Sequence, residues 1–197
     1  GYFPINWIRV YNSLHNLSPK ERLESKRKRQ INRSFKYGVT LQEAQTEEDK
    51  KTFLQLLKLH YSSKLRKHFP DTKLFQLLTQ GSTTGSISRI FTVKYKNRII
   101  GGSFCMYSCD RAYLCFSFGL RKTFSWLHPN TMAIWAALID AYQRSYPHFE
   151  FIDAGLPFQK VGYRNFILSF GGKQVSTRRW FRFRWEWINK LFTKLYQ

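Results

Sequence analysis

The run Phe149-Glu150-Phe151-Ile152-Asp153-Ala154-Gly155 constrains this chain more than any other stretch. Its aromatic and β-branched residues read as a buried strand, stopped at Asp153 and Gly155. A short polar loop with Gln159 and Lys160 follows, and then Gly162-Tyr163-Arg164-Asn165-Phe166-Ile167-Leu168-Ser169-Phe170-Gly171-Gly172 reads as a short helix. Phe166, Ile167 and Phe170 share one side of that helix. The glycine pair ends it, because glycine takes the left-handed conformation that a helix C-terminus uses. Strand, loop and helix together put polar side chains at the end of a sheet, where open α/β folds bind ligands.

Charge narrows the choice of partner. The 197 residues hold 33 Lys and Arg against 12 Asp and Glu, a net charge of +21. Such a surface favours polyanions (nucleic acid, an anionic membrane, phosphorylated ligands) over the plainer reading of a solvated basic exterior. At 18% aromatic residues the chain is no disordered polymer, and its length suits one domain with a real core. Cys105, Cys109 and Cys115 have no zinc spacing and an odd count, so neither a metal site nor a disulfide framework is expected. They fit a reducing, cytoplasmic setting. No apolar run approaches the roughly 18 residues of a spanning helix.

Along the chain, residues 1–17 read as a strand and turn. Ser18-Pro19-Lys20-Glu21 opens a helix that runs to about Tyr37, where Gly38 stops it. Lys26, Lys28, Arg29 and Arg33 on that helix are candidate polyanion-binding residues, with a merely solvated face as the equal alternative. Val39–Ala44 reads as a strand, and Thr46 opens an acidic-started helix through Tyr61. His60 reads as a packed or surface histidine. A short helix from Asp71 to Leu78 and a small-residue loop from Gly81 to Ser88 follow. Three strands come next, over Ile90–Lys96, Ile99–Cys109 and Ala112–Gly119, with Gly101-Gly102 as a bulge or a point of close approach. Asn130 or Thr131 caps a helix with Met132, Ile134, Trp135, Leu138 and Ile139 on its core face. Lys173–Trp185 alternates as a strand, and a basic amphipathic helix closes the chain. That helix is read as docking on its own lobe in preference to resting on a membrane. The expected organisation is a strand and basic helix (1–38), a lobe (39–185) and the amphipathic helix (186–197), as a single compact unit.

Taken together, the Asp153-x-Gly155 strand end, Tyr163-Arg164-x-Phe166, the Phe170-Gly171-Gly172 stop, the basic helix from Lys26 to Arg33 and the Asn130–Trp135 helix start resemble the C-terminal lobe of FemAB-type acyltransferases. That lobe has the GNAT (N-acetyltransferase-like) fold. The resemblance implies an α+β (α/β/α) architecture: a mixed, mostly antiparallel sheet flanked by helices. It also implies transfer of an aminoacyl or acyl group to an amine. The backbone amides of Ser117, Phe118 and Gly119 would polarise the carbonyl, since an amide aimed at a developing oxyanion stabilises the transition state. Tyr163 would donate a proton, and Asp153 would orient or deprotonate the amine. His128, Asn130, Lys160 and Arg164 would hold the donor's phosphate or carboxylate. The donor would be aminoacyl-tRNA or acyl-CoA, with no tightly bound cofactor. Arg121-Lys122-Thr123-Phe124-Ser125-Trp126-Leu127-His128-Pro129-Asn130 lacks the glycine-rich pyrophosphate cradle of GNAT acetyltransferases, which disfavours coenzyme A. FemAB-type proteins also carry a first lobe, which the resemblance places before this one. The competing expectation is a catalytically silent GNAT-fold module that binds RNA or anionic lipid through its basic surface. On either reading the expected location is cytoplasmic, with peripheral contact at the inner face of the membrane as its variant.

Overall fold

The computed structural model describes residues 2–62, 73, 75, 87–159 and 162–196. Apart from Lys73, Phe75, Ile87 and Ser88, the expected 71–78 helix and 81–88 loop lie outside the described residues.

Among the described residues one seven-stranded sheet organises the chain. Its strands are β1 (Phe3–Ser13), β2 (Thr40–Glu43), β3 (Ser88–Tyr95), β4 (Arg98–Tyr107), β5 (Arg111–Gly119), β6 (His148–Phe151) and β7 (Lys173–Phe181). They lie side by side in the order β2-β3-β4-β5-β6-β1-β7. Every neighbouring pair is antiparallel except β5 and β6, which run parallel. The mixed, mostly antiparallel sheet expected from the sequence is therefore present, with β1 inserted between β6 and β7.

Six helices are described: α1 (Pro19–Arg22), α2 (Ser25–Lys36), α3 (Glu47–Ser62), α4 (Pro129–Gln143), α5 (Gly162–Leu168) and α6 (Glu186–Tyr196). Ser18 and Glu21 form the capping box that the sequence announces, and Pro19 takes the first turn, where a missing N–H costs nothing. α4 is apolar almost all round because it is buried almost all round, from Thr131 to Leu138. It packs on β3, β4 and β5, and Ser103 of β4 donates to the Ala133 carbonyl at 2.9 Å. On the opposite face, Phe53 and Leu57 of α3 meet Phe104 and Phe118. Gly102 is a close-approach point: a Cβ there would lie 2.5 Å from the Phe91 carbonyl oxygen and 2.8 Å from the Phe53 ring.

The two ends of the sheet differ. β2 covers one edge. At the other, Phe3 of β1 stacks on Phe181, Phe183 and Phe192, with centroids 5.2–6.0 Å apart. Asn189 is buried beside them and bonds the Phe183 backbone through both its side-chain oxygen and its amide. This polar clamp fixes the inner face of α6 on the sheet.

Candidate active site

β5 and β6 pair only from Arg111↔His148 to Leu114↔Phe151. Beyond Phe151 the chain turns to β1, where the Ala154 amide bonds the Ile8 carbonyl at 3.1 Å and the Ile8 amide bonds the Gly155 carbonyl at 3.0 Å. β5 instead continues along β4 to Gly119. The pairing skips from Phe104↔Phe116 to Cys105↔Leu114, so Cys115 is the extra residue of a bulge. A bulge bends its strand, and this one lies where β5 leaves β6.

The alternation of hydrogen bonding along β5 then decides which amides face the opening. The Leu120 amide bonds Ile100 at 2.8 Å, so Ile100 and Leu120 are a bonded pair of the antiparallel ladder. Counting back by twos, Phe118 faces Gly102, and the amides of Ser117 and Gly119 face the gap.

A cavity of about 690 Å³ occupies this region. Ser117 is its floor on the β5 side. Tyr61, at the end of α3, and Tyr163, in the first turn of α5, reach it from opposite faces of the sheet. The Tyr61 hydroxyl takes a hydrogen bond from the Ser117 backbone, and burial pushes its pKa up to about 12. The Tyr163 hydroxyl bonds the Ser117 side chain. Burial first, and then the neighbouring Tyr61, raise it well above the ordinary tyrosine value. Both phenols therefore keep their protons at neutral pH.

The opposite wall is cationic and is built by α2 and the start of α4. Arg27 donates from Nε to Ser169 at 2.6 Å and from Nη1 to Gln30, and its guanidinium lies 4.6 Å from the Phe166 ring centre. Burial lowers its pKa, yet a guanidinium stays charged at any physiological pH. Gln30 also accepts from Thr131 at 3.2 Å, tying α2 to α4. Lys26 and Arg121 add charge to the cavity rim. His128, in the left-handed conformation (φ 47°), caps α4; burial and then Arg33 and Arg27 lower its pKa. Asn130 follows, with Oδ1 buried and unpartnered among the described residues. Its amide and that of Thr131 precede the first intrahelical bond of α4, from Met132 to His128, and carry the positive end of the helix dipole. Among the described residues no group of His, Cys, Asp or Glu could hold a metal ion.

The acetyltransferase (GNAT) domain family matches residues 22–160. The chain belongs to the GNAT acetyltransferase family. Its fold is similar to that of FemX, with a TM-score of 0.70 at 12% identity over 95% of this chain and 63% of that one. It is also similar to the C-terminal domain of a putative lysylphosphatidylglycerol synthetase from Agrobacterium fabrum (TM-score 0.67, 11% identity, 90% of this chain and 61% of that one). L-PGS from Bacillus licheniformis gives a TM-score of 0.65 at 14% identity, over 100% of this chain and 67% of that one. At such identities the likeness is one of fold, and it is the fold that the FemAB-type resemblance implies. The chain spans 61–67% of the length of these three chains. No curated protein sequence gives a significant match.

Within this GNAT lobe, Ser117, Tyr163, His128, Asn130 and Lys26 do come together around the cavity. Others do not. Phe118 is a correction: its side chain is fully buried against Phe53 and its amide faces β4, so Ser117 and Gly119 are the amides at the gap. Arg164 is a second. It is buried, and its guanidinium donates to the carbonyls of Ala154 at 2.8 Å, Pro157 at 3.2 Å and Leu156, so it holds the loop after β6 and turns from the cavity. Asp153 lies outside the lining, accepting from Trp7 Nε1 at 3.2 Å and the Gly155 amide at 3.3 Å, with Arg179 at 4.0 Å. Its charge still bears on both phenols. On α2, Lys28 reaches the Glu21 carbonyl at 3.4 Å, Arg33 stacks on Tyr37, and Arg29 is exposed. Lys160 lies outside the described residues.

Sequence reasoning missed Tyr61, Gln30, Arg121 and the inward turn of Arg27. Tyr61 follows Leu57 by four residues, on the face of α3 that packs on β5, and that spacing was its only signal.

Proposed function

We propose that this lobe transfers an aminoacyl or acyl group from a phosphate-bearing donor to an amine, with aminoacyl-tRNA ahead of acyl-CoA as donor. The observation that carries the proposal is the meeting of two protonated phenols on Ser117, inside the gap between β5 and β6 and opposite a cationic wall.

Each part has a chemical task. Lys26, Arg27, Arg121 and the start of α4 face the donor's phosphates, which favour positive charge and unsatisfied N–H groups. The acyl carbonyl lies against the gap-facing amide of Gly119. The neutral amine attacks the carbonyl carbon and forms the C–N bond; the developing oxyanion is stabilised by that amide, an interaction worth about 2.7–4 kcal/mol in other enzymes. The bond from carbonyl carbon to the leaving oxygen (or sulfur) then breaks, and Tyr163 gives its proton to the leaving atom. The ammonium of the adduct loses its proton to solvent, and Tyr163 recovers one. A phenol held protonated serves this acid role across the whole neutral range.

Coenzyme A remains the weaker fit. Four amides spaced along loop residues 121–128 are used internally: Arg121 bonds Gly119 at 2.8 Å, Phe124 bonds Leu120 at 2.9 Å, Leu127 bonds Phe124 at 3.1 Å and His128 bonds Ser125 at 3.3 Å. Such a loop offers no row of amides to a diphosphate.

The test uses purified protein, charged tRNA labelled in the amino acid, labelled acetyl-CoA, and hydroxylamine as a small amine acceptor. Protein-dependent hydroxamate from charged tRNA, abolished by Tyr163→Phe, is the expected result. Turnover of acetyl-CoA alone overturns the donor assignment. Binding of tRNA without turnover of either donor overturns the transferase reading and leaves a silent RNA-binding module.

A further inference from the structure

Among the described residues only one face of α6 is used by the fold. Phe192 and Asn189 hold it to Phe3 and Phe183, as described above. The outward face carries Trp187, Leu191 and Leu195, four residues apart and therefore in one stripe. They are 67%, 50% and 66% exposed. Lys190 and Lys194, also exposed, run beside this stripe. Trp185, at 60% exposure, stands just before the helix. From Arg182 to Lys194 the only acidic residue is Glu186, against Arg182, Arg184, Lys190 and Lys194.

A solvated helix has no reason to set two leucines and a tryptophan outward in register. A protein core would exclude the lysines that alternate with them. Apolar side chains interleaved with cations, tryptophan among them, are the chemistry of a helix lying in the boundary between headgroups and acyl chains. The charge selects anionic lipid over neutral lipid.

We propose that the outer face of α6, with Trp185, docks this lobe on an anionic lipid bilayer. Among the described residues no helix is long and apolar enough to cross a membrane, so the contact is a surface one. The strand directions give the docking a consequence. β6 runs antiparallel to β1, and β1 antiparallel to β7, so Phe3 and Phe181 lie at the same end of the sheet as the tips of β5 and β6. α6 therefore sits at the end of the sheet where the cavity lies.

The experiment is flotation of the protein with phosphatidylcholine vesicles, with and without phosphatidylglycerol. It compares wild type with Leu191→Glu/Leu195→Glu and with Lys190→Gln/Lys194→Gln. These side chains are exposed, so the fold survives, and an unchanged circular dichroism spectrum and melting temperature verify that. Wild type is expected to float only with the anionic vesicles. The leucine pair lowers the partition coefficient more than about tenfold, and the lysine pair lowers it about thirtyfold. Because a chain of this charge adheres to any anionic surface, the leucine pair is the deciding arm. Undiminished flotation of that variant overturns the proposal and assigns the contact to α2. No flotation of wild type overturns it too. So does a wild-type dimer that the leucine pair converts to monomer without lipid, which assigns the face to a second copy. None of these outcomes depends on transfer activity.

Discussion

Tyr61 and Tyr163 meet on one residue, Ser117, the first at its backbone amide and the second at its side chain. Only Tyr163 stands at the mouth of the gap on the α4 face, and removing its hydroxyl leaves the ring packed near Phe166 at 6.2 Å. Tyr163→Phe is therefore expected to lower kcat about 10²–10⁴-fold with KM little changed, as loss of a general acid does. Single-turnover transfer with labelled donor checks it. An equal rise in KM would make Tyr163 a binding residue instead.

Buried phenols also set the alkaline limit of the fold. Burial lifts Tyr61 to about 12, and Tyr107 higher; Tyr107 also donates to Asp140 at 2.7 Å. Below about pH 10, the ordinary tyrosine value, these groups are protonated in folded and unfolded chains alike, and their stabilisation is complete. Above it the unfolded chain ionises first, and stability drains away as pH climbs towards the folded values. Melting temperature is expected to fall steeply from about pH 10 upward, and the slope to flatten in Tyr61→Phe. An unchanged slope in that variant would place the alkaline transition elsewhere.

Gly119 is required by space. A Cβ there would lie 2.4 Å from Asn130 Oδ1 and 2.5 Å from the Asn130 amide, so β5 and α4 would have to separate. Gly119→Ala is expected to cost about 1–3 kcal/mol and to abolish transfer, because the gap-facing amide moves with its strand. Gly162→Ala is the control: nothing lies within 4 Å of its Cβ, and its stability stays within about 1 kcal/mol of wild type. Thermal melts of the two variants separate the cases.

The cationic wall can be read through His128. Burial, Arg33 and Arg27 hold its pKa below the ordinary histidine value. An inorganic pyrophosphate bound there neutralises those arginines and brings a negative charge of its own, so the His128 pKa should rise. A proton NMR titration with and without pyrophosphate measures the shift. Arg27→Gln is expected to weaken pyrophosphate binding roughly tenfold. A downward or absent shift would remove the anion from this wall.

Arg164→Ala tests a positioning role. Three carbonyls of the loop after β6 lose their donor, so a loss of about 2–3 kcal/mol is expected. The same variant should bind charged tRNA once cooled below its melting point, a result that a phosphate-binding arginine would not give.

What the sequence made legible follows from range of interaction. The Ser18 capping box, the Asp153-Gly155 stop and the β3-β4-β5 meander are local, set by residues a few positions apart. Ser117, Tyr163, His128 and Asn130 line one cavity because each sits at or near an element end, where motifs are written. Arg164 was misassigned because sequence cannot show where a guanidinium points, and its three carbonyl partners lie in the loop before its own helix. Phe118 was misassigned because the ladder's parity depends on a pairing with Gly102 that only the folded sheet fixes. For Tyr61 the spacing from Leu57 marks only a core-facing position: nothing on α3 records that β5 will bulge at Cys115 and open a space for its hydroxyl.

The place of β1 bears on how such a chain is made. Ser13 pairs with His148 and Phe3 with Phe181, so β1 waits, unpaired on both edges, for partners that are translated long after it. During that interval its aromatic face is open to strand-swapping between nascent chains. Folding yield should therefore depend on chaperone supply and on polysome spacing more than on the final stability of the lobe.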